Sequence, residues 1–407
     1  MRRCAAEVGG RLRRPAGSRG GAVLATRLFS PELTPAAFRH RALFDHLRSA
    51  GIPVGVLTTS VPGDGEPADQ DVSRWPVLRD SQGHVKGYLS YMSFDVPLIL
   101  RVLVMPRPAV IIAEPPPTTG FAVMVAAGIR RIPYVYYAAD IWADAAGTLD
   151  GTPAIVPAVL GFVERLVWRR AAVVMAISPG VEHRIRELCG DSVEVAMIGN
   201  GIRVGDFSAD GPERGARSTP VFVYAGTVSE WHGAGIFLEA FRRVREVHPS
   251  ARLEFFSEGS EKAHLEQVVE ETGLGGVSFH SRVGTDELSA RLRGAAASLA
   301  CVRPGQGYDF AIPTKIYAST ASGTPVIYAG EGPTVSMIEE NRLGWAVDYT
   351  PESAAEAMLA AIDEPERVGG PQELRRWTEG NASLEAVAAR IVGLVERSLS
   401  IRLPRRR

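Results

Sequence analysis

At 407 residues the chain is about twice the length of a typical domain, so two domains with separate cores are expected. Its 45% hydrophobic and 22% charged residues are those of a globular protein, and no apolar run is long enough to span a bilayer. A net charge of −1 gives no field that would draw in nucleic acid. Cys4, Cys189 and Cys301 are too scattered for a disulfide framework or a metal cluster, which suits a reducing cytoplasm.

Residues 1–20 carry Arg2, Arg3, Arg11, Arg13, Arg14 and Arg19 ahead of the first apolar segment and read as a disordered basic extension. Ala22–Ala25 is too short for the apolar centre of a secretory signal. Clustered arginine leaves at most a peripheral contact with an anionic inner membrane face. Short apolar runs then alternate with helical patterns, the rhythm of a parallel α/β sheet. Strands are expected at 21–26, 53–58, 109–113, 134–138 and 173–177, with helices near 35–50, 94–104, 119–129 and 155–170. Residues 61–71, rich in Pro, Gly and Asp, read as an irregular loop. Arg101, Pro106, Arg107 and Pro108 interrupt the apolar stretch 97–113, so a buried helix, a turn and a strand are expected there.

Residues 208–219 show no periodicity and read as a linker between a domain at 21–207 and one at 220–380. The second domain repeats the rhythm. Strands are expected at 221–224, 252–256, 277–279, 298–301 and 325–328, and helices at 235–247, 262–271, 285–295 and 314–321. A last helix near 384–398 is expected to pack back on the first domain, followed by a basic tail to 407. The expected fold class is α/β, with two doubly wound, Rossmann-like domains facing a central cleft. In such sheets ligands bind beyond the carboxyl ends of the strands, so function is expected on strand-to-helix loops.

The most informative stretch runs from Gly305 to Tyr317, after a strand and into a helix with Pro313 at its first turn. Gly305 and Gly307 let backbone approach a ligand, and a helix start offers N–H groups and positive dipole to an anion. Thr314 adds a hydroxyl and Lys315 a charge, together suited to a diphosphate. Ser322-Gly323-Thr324-Pro325-Val326-Ile327 then stops the helix and starts a buried strand.

This Pro-Thr-Lys opening and Gly-Thr-Pro-Val-Ile ending resemble the donor-site helix of glycosyltransferase family 4, in its branch with a Pro-Ser/Thr-Lys motif. Other landmarks resemble the family in order: Ala138-Ala139-Asp140-Ile141-Trp142, Ser178-Pro179-Gly180-Val181, Gly199-Asn200-Gly201-Ile202 with Asp206-Phe207, Val221–Thr227, Glu254–Gly259 and Val277–Val283. The resemblance spans roughly residues 21–400. It implies a GT-B fold and transfer, with retention, of a hexose or aminosugar from a nucleotide-sugar, a UDP-sugar above all, to a hydroxyl acceptor. Neither a cofactor nor an obligatory metal is implied. Lys315, His232 and Asp140 are the expected catalytic residues. Gly226, Thr227, Gly259, Arg282, Val283, Asp309, Phe310, Ile312, Pro313, Thr314, Lys315 and Tyr317 are expected to bind the donor.

The chain departs from the family in two places. Phe310 and Ala318 stand where the family carries two glutamates, and Asp309 is the neighbouring substitute for the first. Thr227 and His232 stand where it tends to carry Arg and Lys, so His232 would restore one charge if protonated. Asp140 suits either an acceptor contact or the cap of the following helix turn. Asp69-Gln70-Asp71 imitates a metal-binding motif but lies in a solvated loop without nucleotide-binding context. The competing functions are a nucleotide-sugar epimerase of the same fold, a catalytically weak partner of another transferase, and a bilobed sugar-binding protein.

Overall fold

The computed structural model describes residues 20–32, 34–61, 69–80, 83, 85, 87–147, 153–211, 219–306 and 308–400. Most of the basic extension, most of the 61–71 loop and 208–219 linker, Gly307 and the basic tail lie outside them. The chain divides into two compact units, one of residues 1–199 with 387–407 and the other of residues 200–386.

The first unit holds a seven-stranded parallel sheet in the order β3-β2-β1-β4-β5-β6-β7. Its strands are β1 (Ala22–Ala25), β2 (Val54–Thr59), β3 (Val72–Trp75), β4 (Val110–Ala113), β5 (Tyr134–Ala138), β6 (Val173–Ala176) and β7 (Val195–Met197). β1 pairs Ala22 with Val54 of β2 on one side and with Val110 of β4 on the other, so the strand order reverses at β1. All four residues of β1 and of β4 are buried, which is why both read as continuous apolar runs.

Helix α1 (Pro35–Ser49) covers one sheet face with Leu43, Phe44 and Leu47. The final helix of the chain lies on the same core through Val387, Ile391 and Val395. The other face carries α2 (Tyr88–Val104), α3 (Pro117–Arg130) and α5 (Ile155–Arg170), with the short α4 (Trp142–Gly147) before α5. Gly120 of α3 has to be glycine, because a Cβ there would come within 2.6 Å of the Tyr136 ring. α6 (Pro179–Cys189) starts at an N-cap, Ser178, whose hydroxyl accepts from the Val181 N–H at 3.2 Å. Ser178–Val181, the family-like landmark after β6, therefore opens a helix.

The second unit holds a six-stranded parallel sheet in the order β10-β9-β8-β11-β12-β13. These strands are β8 (Val221–Thr227), β9 (Arg252–Glu258), β10 (Val277–His280), β11 (Ala297–Cys301), β12 (Val326–Ala329) and β13 (Gly344–Val347). The helices are α7 (Ile236–Val247), α8 (Lys262–Thr272), α9 (Thr285–Arg293), α10 (Lys315–Ala321), α11 (Pro333–Glu340), α12 (Pro351–Asp363) and α13 (Pro371–Asn381), and α14 (Leu384–Ser400) belongs to the first unit from Val387 onward. The core packs Phe237 and Phe241 of α7 and Met358 of α12 against Phe222, Leu253 and Leu299 of the sheet.

The units part between Gly199 and Asn200, earlier than the 208–219 linker expected from composition. Residues 200–210 already belong to the second unit. Ser208 donates its N–H to Ser289 at 2.9 Å, and its carbonyl accepts from Arg293 at 3.0 Å. Ile202 bridges Ser383, and a Cβ on Gly201 would lie 2.6 Å from the Ser383 carbonyl oxygen.

Candidate functional site

In the second unit a cavity of about 620 Å3 opens at the carboxyl ends of β8 and β9. It lies where the strand order reverses at β8, between β9 and β11, the position at which doubly wound sheets bind ligands. Ala225, Gly226 and Thr227 form one wall, and Pro313, Thr314 and Lys315 form another.

Lys315 is the first residue of α10. Its Nζ lies 2.5 Å from the Tyr224 hydroxyl, which accepts its hydrogen bond, and 3.9 Å from the Tyr224 ring centroid. The side chain crosses beneath Gly226, whose φ of +127° and missing Cβ leave room at 3.4 Å from Lys315 Cε. Among the described residues no carboxylate lines the cavity. Burial without a counter-charge pushes the Lys315 pKa down to about 8. At neutral pH the cavity thus keeps a partly desolvated ammonium with nothing negative beside it.

Two supporting groups differ from expectation. His232 is 6% exposed, its Nδ1 lies 2.7 Å from the Ser229 hydroxyl, and its ring stacks on Trp231 with centroids 3.5 Å apart. Burial, followed by the Lys315 charge, lowers its pKa to about 3, so it is a neutral wall and adds no cation. The helix expected to begin at Pro313 begins two residues later and has only seven residues. The N–H groups of Ile316 and Tyr317 already donate to the carbonyls of Pro313 and Thr314, each at 3.1 Å. Positive charge here rests on the Lys315 side chain, with Arg282 opposite, donating to Thr227 Oγ1 at 2.8 Å.

Of the residues expected at the site, Gly226, Thr227, His232, Arg282, Val283, Ile312, Pro313, Thr314 and Lys315 line the cavity. Gly259, Asp309, Phe310 and Tyr317 do not. Gly259 is required by packing, since a Cβ would lie 1.9 Å from the Val228 carbonyl oxygen. Asp309 Oδ1 accepts the Gly305 N–H at 3.1 Å and closes its own loop. Tyr317 is buried beside Trp377, 6.3 Å between centroids. Ala318 lines the cavity and packs with Phe256 and Leu292, so an aliphatic patch stands where the family carries a carboxylate. Tyr224 escaped the sequence reading because it lies inside an apolar strand and only its hydroxyl reaches the ammonium. Trp231 was visible beside His232, but its stacking on Tyr308, 4.7 Å between centroids, is tertiary.

Asp140 lies in the first unit, exposed, just beyond β5. Partial desolvation raises its carboxyl pKa, with Arg39 opposing. It does not cap the next helix: the N–H groups of Trp142 and Ala143 donate to Glu164 at 2.8 and 3.0 Å. The carboxyl edge of this sheet also carries a buried cluster that the sequence did not announce. Glu114, after β4, accepts from Arg39 at 2.9 Å and lies 2.8 Å from His40 Nε2. Burial alone would raise Glu114, and His40 and Arg39 overcome it and hold its pKa low. Asp69, the decoy, accepts the Asp71 N–H at 3.1 Å in a local turn and lies 3.5 Å from Arg48.

Comparison with known proteins bears on the fold and the domain families. No curated protein matches the chain in sequence. Residues 36–201 match the family described as Glycosyl transferase 4-like domain, and residues 219–364 match Glycosyl transferases group 1. Sucrose-phosphate synthase from Thermosynechococcus elongatus is similar in structure, with a TM-score of 0.72 at 16% identity over 94% of this chain and 100% of that one. HepE of Anabaena, solved in complex with UDP and glucose, has a TM-score of 0.66 at 14% identity over 93% and 100%. WaaG, a glycosyltransferase involved in lipopolysaccharide biosynthesis, has a TM-score of 0.62 at 14% identity over 92% and 99%. Residues 36–201 and 219–364 thus each match a glycosyltransferase domain family, and the chain has the two-domain α/β fold of the GT-B glycosyltransferases.

Proposed function

We propose that the cavity of the second unit binds a nucleoside-diphosphate sugar, a UDP-sugar above all, and that a hexose or aminosugar passes from it to a hydroxyl acceptor with retention. The observation that carries this reading is Lys315, a buried ammonium without a counter-charge, at the switch point of a doubly wound sheet. A diphosphate supplies the missing negative charge. The UDP bound by HepE supports uridine as the base, and the apolar wall of Val283, Leu288 and Ile312 suits a planar ring.

In the transfer, the bond between the anomeric carbon and the β-phosphate oxygen breaks while the acceptor oxygen bonds to that carbon. The acceptor proton passes to the departing diphosphate. Lys315 stabilises the charge that grows on the β-phosphate, assisted by Arg282 and Thr314. His232, neutral, acts as a hydrogen-bonding wall. Asp140 is proposed as an acceptor-side residue on the strength of the family-like Ala138–Trp142 segment alone. With two cations and no carboxylate in the cavity wall, no obligatory metal is part of the proposal.

An epimerase would need an acid and a base at the sugar, and among the described residues no carboxylate lines the cavity. A panel of nucleotide sugars, scored for free nucleoside diphosphate with and without a chelator, tests the reading. A transferase slowly releases nucleotide from one donor, chelator or not. A binding partner releases none, and an epimerase converts the sugar without release.

A further inference from the structure

Helices that cover a sheet normally turn a polar stripe to water. Three adjacent helices of the first unit do not. On α2, Val96, Leu100 and Val104 stand four residues apart on one outward stripe, with Leu100 60% exposed. The helical part of the 97–113 stretch, expected to be buried, is thus buried on its inner side only, whereas its strand is buried throughout. On α3 the outward stripe holds Phe121 and Ile129, the latter 67% exposed. On α5 it holds Ile155, Val159 and Phe162, the last 62% exposed. α3 packs between α2 and α5, so the stripes lie side by side.

The charges sort in the opposite way. The carboxylates of these helices, Asp95 and Glu164, are buried at 2% and 1% exposure. Arginines cluster where the helices end: Arg107 after α2, Arg130 and Arg131 at the end of α3, and Arg169 and Arg170 closing α5. Each helix leads into the next parallel strand, so these ends share the amino edge of the sheet. Arg107 donates to the Arg131 carbonyl, and Arg130 to the carbonyls of Val102 and Met105, all at 2.8 Å. None of these arginines forms an ion pair among the described residues.

We infer that this three-helix face docks on an anionic lipid bilayer, its apolar stripes entering the acyl boundary and its arginine rim meeting the headgroups. An apolar face whose exposed charges are all cationic has that chemical complement. A second copy of the chain would present the same face, whose carboxylates are buried, and so offers no anionic partner to the arginines. The inference stands apart from the donor reading, since no residue of the cavity takes part.

The test is co-sedimentation of the full chain with phosphatidylcholine vesicles, with and without phosphatidylglycerol. Wild type should bind the anionic vesicles at least ~tenfold more tightly, with salt weakening the binding. Leu100→Glu combined with Phe162→Glu should lose at least ~tenfold on the anionic vesicles at an unchanged melting temperature. Should that pair melt early, Val159→Glu alone is read instead. Arg131→Gln with Arg170→Gln should abolish the preference for phosphatidylglycerol. Wild type that ignores both vesicles, or glutamates that leave binding intact, would overturn the inference. So would a wild-type dimer that the glutamates split into monomers, since a second copy would then cover the face.

Discussion

The carboxyl edges of the two sheets hold buried charge in opposite conditions. In the first unit Glu114 is matched by Arg39 and His40 within hydrogen-bonding distance. In the second, Lys315 meets a hydroxyl and an aromatic ring, with burial pulling its pKa toward neutrality. A matched buried charge is held by the fold. An unmatched one is left for a ligand to satisfy.

Breaking the matched cluster should have the largest effect. Glu114→Ala strands Arg39 and His40 in a buried site and should cost about 3–5 kcal/mol, read by denaturant unfolding. The sign follows from the lowered Glu114 pKa. The stability it confers is complete above its unfolded value and fades as pH falls through the folded one. The variant should therefore lose part of the acid sensitivity of wild type.

Breaking the unmatched site should spare the fold and remove the chemistry. Lys315→Met should lower transfer about a hundredfold, or ~3 kcal/mol of transition-state stabilisation, without an earlier melt. Normal turnover in that variant would take Lys315 out of the mechanism. Asp140 and Glu164 sharpen the comparison within the first unit. Glu164→Ala, which uncaps α4, should cost ~1 kcal/mol, whereas Asp140→Ala should leave stability unchanged and lower transfer.

The contrast between matched and unmatched charge also shows what a sequence displays. Five of the six strands of the second sheet were legible, the central ones because burial on both faces makes them unbroken apolar runs, as in Val221–Tyr224, whereas the half-buried β13 was missed. Helices α11, α12 and α13 were missed because proline-led segments such as Pro351–Asp363, rich in alanine, carry little apolar contrast. β3 and β7 are short edge strands with mixed faces. Lys315 was legible through its local Pro-Thr-Lys setting. The neutrality of His232 was not, since it depends on burial against Trp231 and on the Lys315 charge. The apolar stripe of α2 was misread for a related reason: Leu100 looks the same in a sequence whether it faces a core or water.

The central claim is that a diphosphate completes the charge of Lys315, and calorimetric titration with UDP at rising pH tests it most directly. Below pH 8 the ammonium is mostly protonated, and above it the site must take up a proton to bind the anion. Affinity of the wild type should therefore fall about tenfold between pH 7 and pH 9, while Lys315→Met binds weakly with little dependence on pH. Equal affinity of the two proteins for UDP across that range would contradict the account.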